Sequence, residues 1–123
     1  MPENVKAELI TGIVYMSSPV RVKNHGIPHA RMMGFLSYYQ FSTKGVELLD
    51  NSTYVVNTEY EPQPDAALRI DEEKGGKSWI NERDYLEGSP ELIVEIASSS
   101  ASYDLHDKLE IYERKKVREY VVW

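Results

Sequence analysis

The hydrophobic pattern is clearest in the last third of the chain. Residues 92–97 form a nearly continuous apolar run that contains one charge, Glu95, which is typical of a central strand buried on both faces. Apolar residues then recur at helical spacing from Leu105 to Tyr112, and a final apolar run occupies 120–123. A strand, a helix and a strand within about 30 residues predict a βαβ unit whose two strands are parallel.

The preceding part of the chain alternates between strand-like and helical patterns. Short β-rich runs are separated by turn-forming residues, and one longer segment has apolar residues at helical spacing. The segment 79–88 is ambiguous. The predicted elements are a hairpin over 7–16 around Thr11-Gly12, a helix from Pro28 to Gly45, a hairpin formed by 46–49 and 54–56, and a strand over 66–70.

Together these elements predict an α/β (α+β) fold with a mixed β-sheet flanked by helices. The chain has 123 residues and is 41% hydrophobic, so one domain with a single core is expected over 1–123. Because the chain stops within its last predicted strand, further strands are expected beyond Trp123.

Composition excludes several classes of protein. The chain has no Cys, which removes disulfide scaffolds, zinc ribbons and thiol catalysis. No apolar run approaches the roughly 20 residues of a membrane span and no signal-peptide pattern is present, so a cytoplasmic protein is expected. The formal net charge of −6 argues against coating nucleic acid by bulk charge, but it leaves room for a local basic face or an acidic metal site.

Glu95 is the most unusual residue of the apolar run. A carboxylate is costly to bury without a partner or a metal ion. Alternation along the strand places Glu95 on the same face as Ile93 and Ala97, near the carboxyl end where ligands bind in open α/β sheets. The alternative is an edge strand with Glu95 in solvent.

Two further residues could share a site with Glu95. Asp65 follows Pro64 and precedes a strand of small and apolar residues; alternatively it bonds its own backbone in a turn. Lys108 lies on the predicted helix, four residues after Asp104; alternatively the two form a solvated ion pair.

The three residues together suggest a reaction. Two carboxylates from neighbouring strands can hold Mg²⁺, which prefers oxygen ligands and keeps several waters. The metal lowers the pKa of a bound water and contacts a phosphodiester oxygen, while a lysine stabilises the added charge of the transition state. Asp65, Glu95 and Lys108 therefore indicate metal-dependent phosphodiester hydrolysis.

Several stretches resemble the Uma-two family of restriction endonucleases, within the PD-(D/E)xK nuclease superfamily. The resemblance covers nearly the whole chain in order. It implies a restriction-endonuclease-like core, a divalent metal such as Mg²⁺ or Mn²⁺, DNA as substrate, and often a homodimer. The segments that carry it are AELITGIVYMSSP, HGIPHARMMGFLSYY, GVELLDNSTYVV, EPQPDAALRI, ELIVEIASSS and YDLHDKLEIYERKKVREYVVW.

The resemblance also implies roles for individual residues. Asp65 matches the Asp of the family's Pro-Asp motif, and Glu95 matches its second acidic residue. The superfamily's usual Lys two positions later is replaced by Ala97, and Lys108 on the following helix resembles the displaced lysine. Glu8 matches an acidic position near the start of the family pattern, so it is a candidate accessory residue.

Four other residues are candidates for accessory roles. His25 and His29 have the four-residue spacing of metal ligands on a helix, but the intervening Pro28 makes surface or capping histidines the main alternative. Gln63 and Asp104 lie in the segments that carry Asp65 and Lys108.

Two functional hypotheses follow from these residues. The first is a Mg²⁺- or Mn²⁺-dependent DNA endonuclease with Asp65 and Glu95 as metal ligands and Lys108 as the catalytic cation. The second is a non-catalytic module of nuclease fold that dimerises and binds a partner, which the net acidity and the absent local lysine favour. An enzyme requires the two carboxylates to converge with Lys108 in the same cleft. A solvent-facing Lys108 and a Glu95 paired with an arginine would favour the module.

Overall fold

The computed structural model describes residues 7–16, 26–96 and 102–123, and of these the side chains of 16 and 102–106 lie outside the description. Within these ranges, no helix combines the length and the apolar character needed to cross a membrane. The elements, in chain order, are β1 (Ala7–Ile10), β2 (Ile13–Met16), α1 (Ile27–Ser42), β3 (Val46–Asp50), β4 (Ala66–Ile70), β5 (Lys77–Ile80), β6 (Leu86–Ser89), β7 (Leu92–Glu95), α2 (Ser102–Arg114) and β8 (Glu119–Val122).

A four-stranded sheet in the order β3-β4-β7-β8 forms the centre of the molecule. β4 is antiparallel to β3 and β7, whereas β7 and β8 are parallel and are connected through α2. The parallel pair confirms the βαβ unit predicted from the apolar pattern. The mixed sheet with helices on it confirms the predicted fold class.

The predicted hairpin between 46–49 and 54–56 is wrong. β3 pairs instead with β4, so that Asp50 lies opposite Ala66. Asn51 turns the chain with φ +50°, as the turn-forming residues indicated. The following segment does not return along β3, because Tyr54 is fully buried in the core and its N–H donates to the carbonyl of Pro62.

The ambiguous segment 79–88 belongs to a hairpin. β5 and β6 pair antiparallel, with Lys77 opposite Ser89. Arg69 of β4 joins this hairpin to the central sheet, because its guanidinium donates to the hydroxyl and the carbonyl of Ser78 and pairs with Glu47 of β3. The other hairpin, β1–β2, turns at Thr11-Gly12 as predicted.

The two faces of the central sheet carry separate cores. On one face Leu36 of α1 packs against a set of buried residues, namely Ala66, Leu68, Val94 and Ile96. On the other face Tyr112 of α2 packs against Tyr54, Ala67, Leu86, Ile93 and Val117. Because side chains alternate along a strand, the odd-numbered residues at this end of β4 and β7 face α2. The fold therefore directs Asp65 and Glu95 toward the second helix.

Candidate active site

Asp65 directly precedes β4, and Glu95 ends the neighbouring strand β7. The register pairs Ala66 with Val94, and one further step places Asp65 opposite Glu95 on the face toward α2. The Asp65 carboxylate accepts a hydrogen bond from the N–H of Ile96 at 2.7 Å, which ties it to the end of β7. Asp65 is 2% exposed and Glu95 is 4% exposed. The alternative of a solvent-facing Glu95 on an edge strand is wrong, because β7 lies between β4 and β8.

Lys108 reaches this position from α2. Its Nζ lies 2.6 Å from Oε1 of Glu8 and 3.4 Å from Oε1 of Glu95. The residue is only 5% exposed, because α2 packs this side against the sheet. Lys108 therefore does not belong to a solvated helix face, which was the alternative that its spacing from Asp104 left open.

Glu8 joins the cluster from β1. Its Oε1, the atom that contacts Lys108, also accepts a hydrogen bond from the backbone N–H of Gln63 at 2.7 Å. Reciprocal backbone bonds between Leu9 and Glu61 place β1 alongside the segment that leads into β4. Gln63 thus contacts the site through its backbone, whereas its side-chain amide donates to the hydroxyl of Thr53.

Tyr112 contacts the site and was not among the residues predicted to form it. Its hydroxyl donates to Oε1 of Glu95 at 2.7 Å. Burial, and then the charge of Glu95 and this hydrogen bond, raise the pKa of the Tyr112 phenol well above its usual range. The sequence signal was present, because Tyr112 follows Lys108 by four residues and so shares its helix face.

The remaining candidate residues are His25, His29 and Asp104, and the structure describes only part of this set. Nε2 of His29 lies 3.2 Å from the backbone carbonyl of Asp65 and 3.2 Å from Oδ1 of Asp50. These contacts place His29 at the backbone of Asp65. His25 lies outside the described residues, and Asp104 belongs to α2 with its side chain outside the description.

The donor atoms of the cluster suit a hard divalent cation. Glu8, Asp65 and Glu95 offer carboxylate oxygens, and the described contacts place the ammonium of Lys108 against two of them. In the part of the chain that the structure describes, no group of three or more Asp, Glu, His or Cys side chains is arranged to hold a metal ion, so Glu8, Asp65 and Glu95 do not form a three-carboxylate site. Mg²⁺ needs no such group, since one or two carboxylates commonly bind it together with waters and substrate phosphates. Asp65 and Glu95 therefore supply the kind of ligand that a hard divalent cation takes from a protein.

Comparison with known proteins identifies a family for the chain and a solved structure of similar fold. The sequence model of the Uma2 family, described as "Putative restriction endonuclease", matches residues 1–123. No curated protein matches the chain. A solved structure of a putative nuclease belonging to DUF820 from Anabaena variabilis is similar in fold, with a TM-score of 0.63 and 12% sequence identity. The match covers 87% of this chain and 60% of that protein, so the chain spans less than two thirds of the length of its structural relative.

Proposed function

Because this chain belongs to the Uma2 family of restriction-endonuclease-like proteins, we propose that it is a Mg²⁺- or Mn²⁺-dependent endonuclease that hydrolyses DNA phosphodiester bonds. The observation that carries the proposal is the buried cluster in which Asp65, directly before β4, and Glu95, at the end of β7, lie near Lys108. Family membership and the fold of its structural relative support a nuclease, and the cluster supports the metal requirement.

Each residue of the cluster has a role in this proposal. Asp65 and Glu95 would hold the metal, and the bond from the Ile96 N–H fixes the Asp65 carboxylate against β7. When bound, a divalent ion lowers the pKa of a coordinated water and neutralises charge on the phosphodiester. Lys108 supplies a fixed positive charge for the additional negative charge of the transition state. Glu8 holds the lysine ammonium in place through the 2.6 Å contact.

The non-catalytic alternative rests on the net charge of −6 and on Ala97 in the position of the usual lysine. Two contacts weigh against it. Lys108 is buried in the same cluster as Glu95, and the described partners of the Glu95 carboxylate are Lys108 and Tyr112. Both contacts support the enzyme proposal over the non-catalytic module.

Plasmid cleavage tests the proposed function. We expect the wild-type protein to nick or linearise supercoiled DNA with Mn²⁺, and we expect Asp65→Ala to remove at least about 99% of this activity because a metal ligand is lost. An equivalent RNA substrate in the same assay establishes which nucleic acid is cut. Wild-type cleavage no faster than that of Asp65→Ala would refute the nuclease proposal.

We also propose that the protein forms a homodimer through the outer face of α1. This face carries Phe35, Tyr38 and Phe41, which are 74%, 78% and 84% exposed. Gly34 lies on the exposed side of the same helix, and a Cβ there would meet nothing within 4 Å, so a second helix could approach closely. Three aromatic side chains from each of two copies bury on the order of 1,000 Å², which is near the lower range of specific interfaces.

Sedimentation analysis tests this interface. We expect a dimer for the wild type and a monomer for the double variant Tyr38→Glu/Phe41→Glu, because a charge is costly to bury unpaired. Ile80→Ser is the control, since it removes an exposed apolar side chain from β5. A monomeric wild type, or a dimer that persists in the double variant, would contradict this assignment of the interface.

A further inference from the structure

Tyr112 and Lys108 contact the same oxygen of Glu95, Tyr112 through a hydrogen bond and Lys108 through an ion pair. The Tyr112 hydroxyl lies 2.7 Å and the Lys108 Nζ 3.4 Å from Oε1. The two donors lie one helical turn apart on α2, so one rigid element carries both. The Glu95 carboxylate cannot rotate about its terminal bond without breaking both contacts.

We propose that Tyr112 is a positioning residue that fixes the orientation of the Glu95 carboxylate for metal binding. The inference rests on the proposed function, because it assigns a supporting contact to a proposed metal ligand. Groups that hydrogen-bond to a ligand orient it and increase its affinity for metal. The Lys108 ammonium is held by Glu8 and lies farther from the Glu95 oxygen, at 3.4 Å against 2.7 Å for the Tyr112 hydroxyl, and a phenol has only two side-chain torsions to restrain.

The surroundings of Tyr112 hold its hydroxyl in one place. The residue is fully buried, and its ring stacks on Tyr54 with centroids 6.2 Å apart and planes inclined by 24°. Tyr54 is itself fixed, because its hydroxyl donates to the carbonyl of Gly88 and its N–H to that of Pro62. The backbone carbonyl of Tyr112 accepts from Val117, which anchors the end of α2. Glu95 is thus oriented by a donor that is itself restrained on several sides.

A buried tyrosine also needs an acceptor for its hydroxyl for structural reasons alone. Tyr54 provides the matched control for this possibility. It is a buried tyrosine in the same hydrophobic core, and its ring stacks on that of Tyr112. Its hydroxyl donates to the backbone carbonyl of Gly88 and not to Glu95. Replacing either tyrosine by phenylalanine removes one buried hydroxyl and leaves the ring, so only the Tyr112 change should affect metal binding.

Calorimetric titration with MnCl₂ alone compares the wild type, Tyr112→Phe and Tyr54→Phe. We expect Tyr112→Phe to bind Mn²⁺ about 10-fold more weakly and Tyr54→Phe to bind within about 2-fold of the wild type. Thermal unfolding should show comparable decreases for the two variants. In cleavage assays, Tyr112→Phe should need more Mn²⁺ for half-maximal rate and should recover most of the rate at saturating Mn²⁺.

Three results would overturn the inference, and they differ from one another. Equal Mn²⁺ affinity in the wild type and Tyr112→Phe refutes the positioning role and leaves the proposed function intact. Equal weakening by Tyr54→Phe shows that loss of core packing is responsible. Absence of Mn²⁺ binding in the wild type refutes the inference together with the proposed metal site. Both variants keep the aromatic ring, and circular dichroism establishes that each is folded before its Mn²⁺ affinity is compared with that of the wild type.

Discussion

Replacing Glu95 by glutamine is expected to lower both Mn²⁺ affinity and DNA cleavage by at least about 100-fold. Loss of a hydrogen-bonding group next to a ligand commonly reduces metal affinity or activity 10- to 100-fold, so loss of the ligand's charge should do more. The change is nearly isosteric, and the amide oxygen can still accept from the hydroxyl of Tyr112. Lys108 retains its contact with Glu8 at 2.6 Å. The variant should therefore stay folded while the site loses function.

The control for this experiment is Glu119→Gln. Glu119 is an exposed carboxylate of β8, opposite Leu92 at the other end of β7, so this variant has the same change in net charge. Metal affinity, cleavage rate and circular dichroism are measured on all three proteins. Cleavage by Glu95→Gln at the wild-type rate would remove Glu95 from the site.

Replacing Lys108 by methionine is expected to reduce the free energy of unfolding by about 3–5 kcal/mol at pH 7. Methionine keeps most of the aliphatic length but removes the cation that contacts both Glu8 and Glu95, whose side chains are 9% and 5% exposed. Two buried carboxylates then lose their described cationic partner, and a buried charge without compensation is strongly destabilising. Urea unfolding measures the change.

Two further variants distinguish the loss of the buried Lys108 cation from the loss of an ordinary exposed ion pair. Arg114→Met removes the exposed pair of Arg114 with Glu110 on the same helix, and we expect a cost below about 1 kcal/mol. Adding Glu8→Gln to Lys108→Met should recover at least about 1 kcal/mol, because contacting residues in one network are coupled. A Lys108→Met cost as small as that of Arg114→Met would contradict the buried charge cluster.

The parts of the fold that were predictable from sequence are those with strong local signals. The apolar run at 92–97, the helical spacing after it and the final apolar run were sufficient for the βαβ unit, because a parallel connection requires a crossover. The wrong hairpin shows the limit of such signals. Turn-forming residues at 50–52 indicate that the chain turns, but not which strand it pairs with afterwards. That choice depends on burial of Tyr54 in a core formed by distant residues.

The residues of the candidate site were also predictable from the sequence only in part. A carboxylate inside an apolar strand was conspicuous, so Glu95 was identified from its environment in the sequence. Glu8 was assigned only through the family resemblance, since nothing local indicates that β1 approaches α2. Tyr112 was interpreted as an ordinary apolar helix position, because the pattern does not distinguish a packed ring from a hydroxyl that meets a charge. The backbone N–H of Gln63 reaches Glu8 because Leu9 of β1 pairs with Glu61, and such a long-range pairing cannot be inferred from local sequence.

The central claim is that Asp65 and Glu95 bind one divalent cation beside Lys108. A crystal of the wild-type protein soaked in MnCl₂ and measured at a wavelength with strong manganese anomalous scattering tests this claim most directly. We predict one anomalous peak bonded to carboxylate oxygens of both residues, and no such peak in crystals of Glu95→Gln treated identically. A peak elsewhere on the protein, or two carboxylates that remain without metal at millimolar Mn²⁺, would contradict the account.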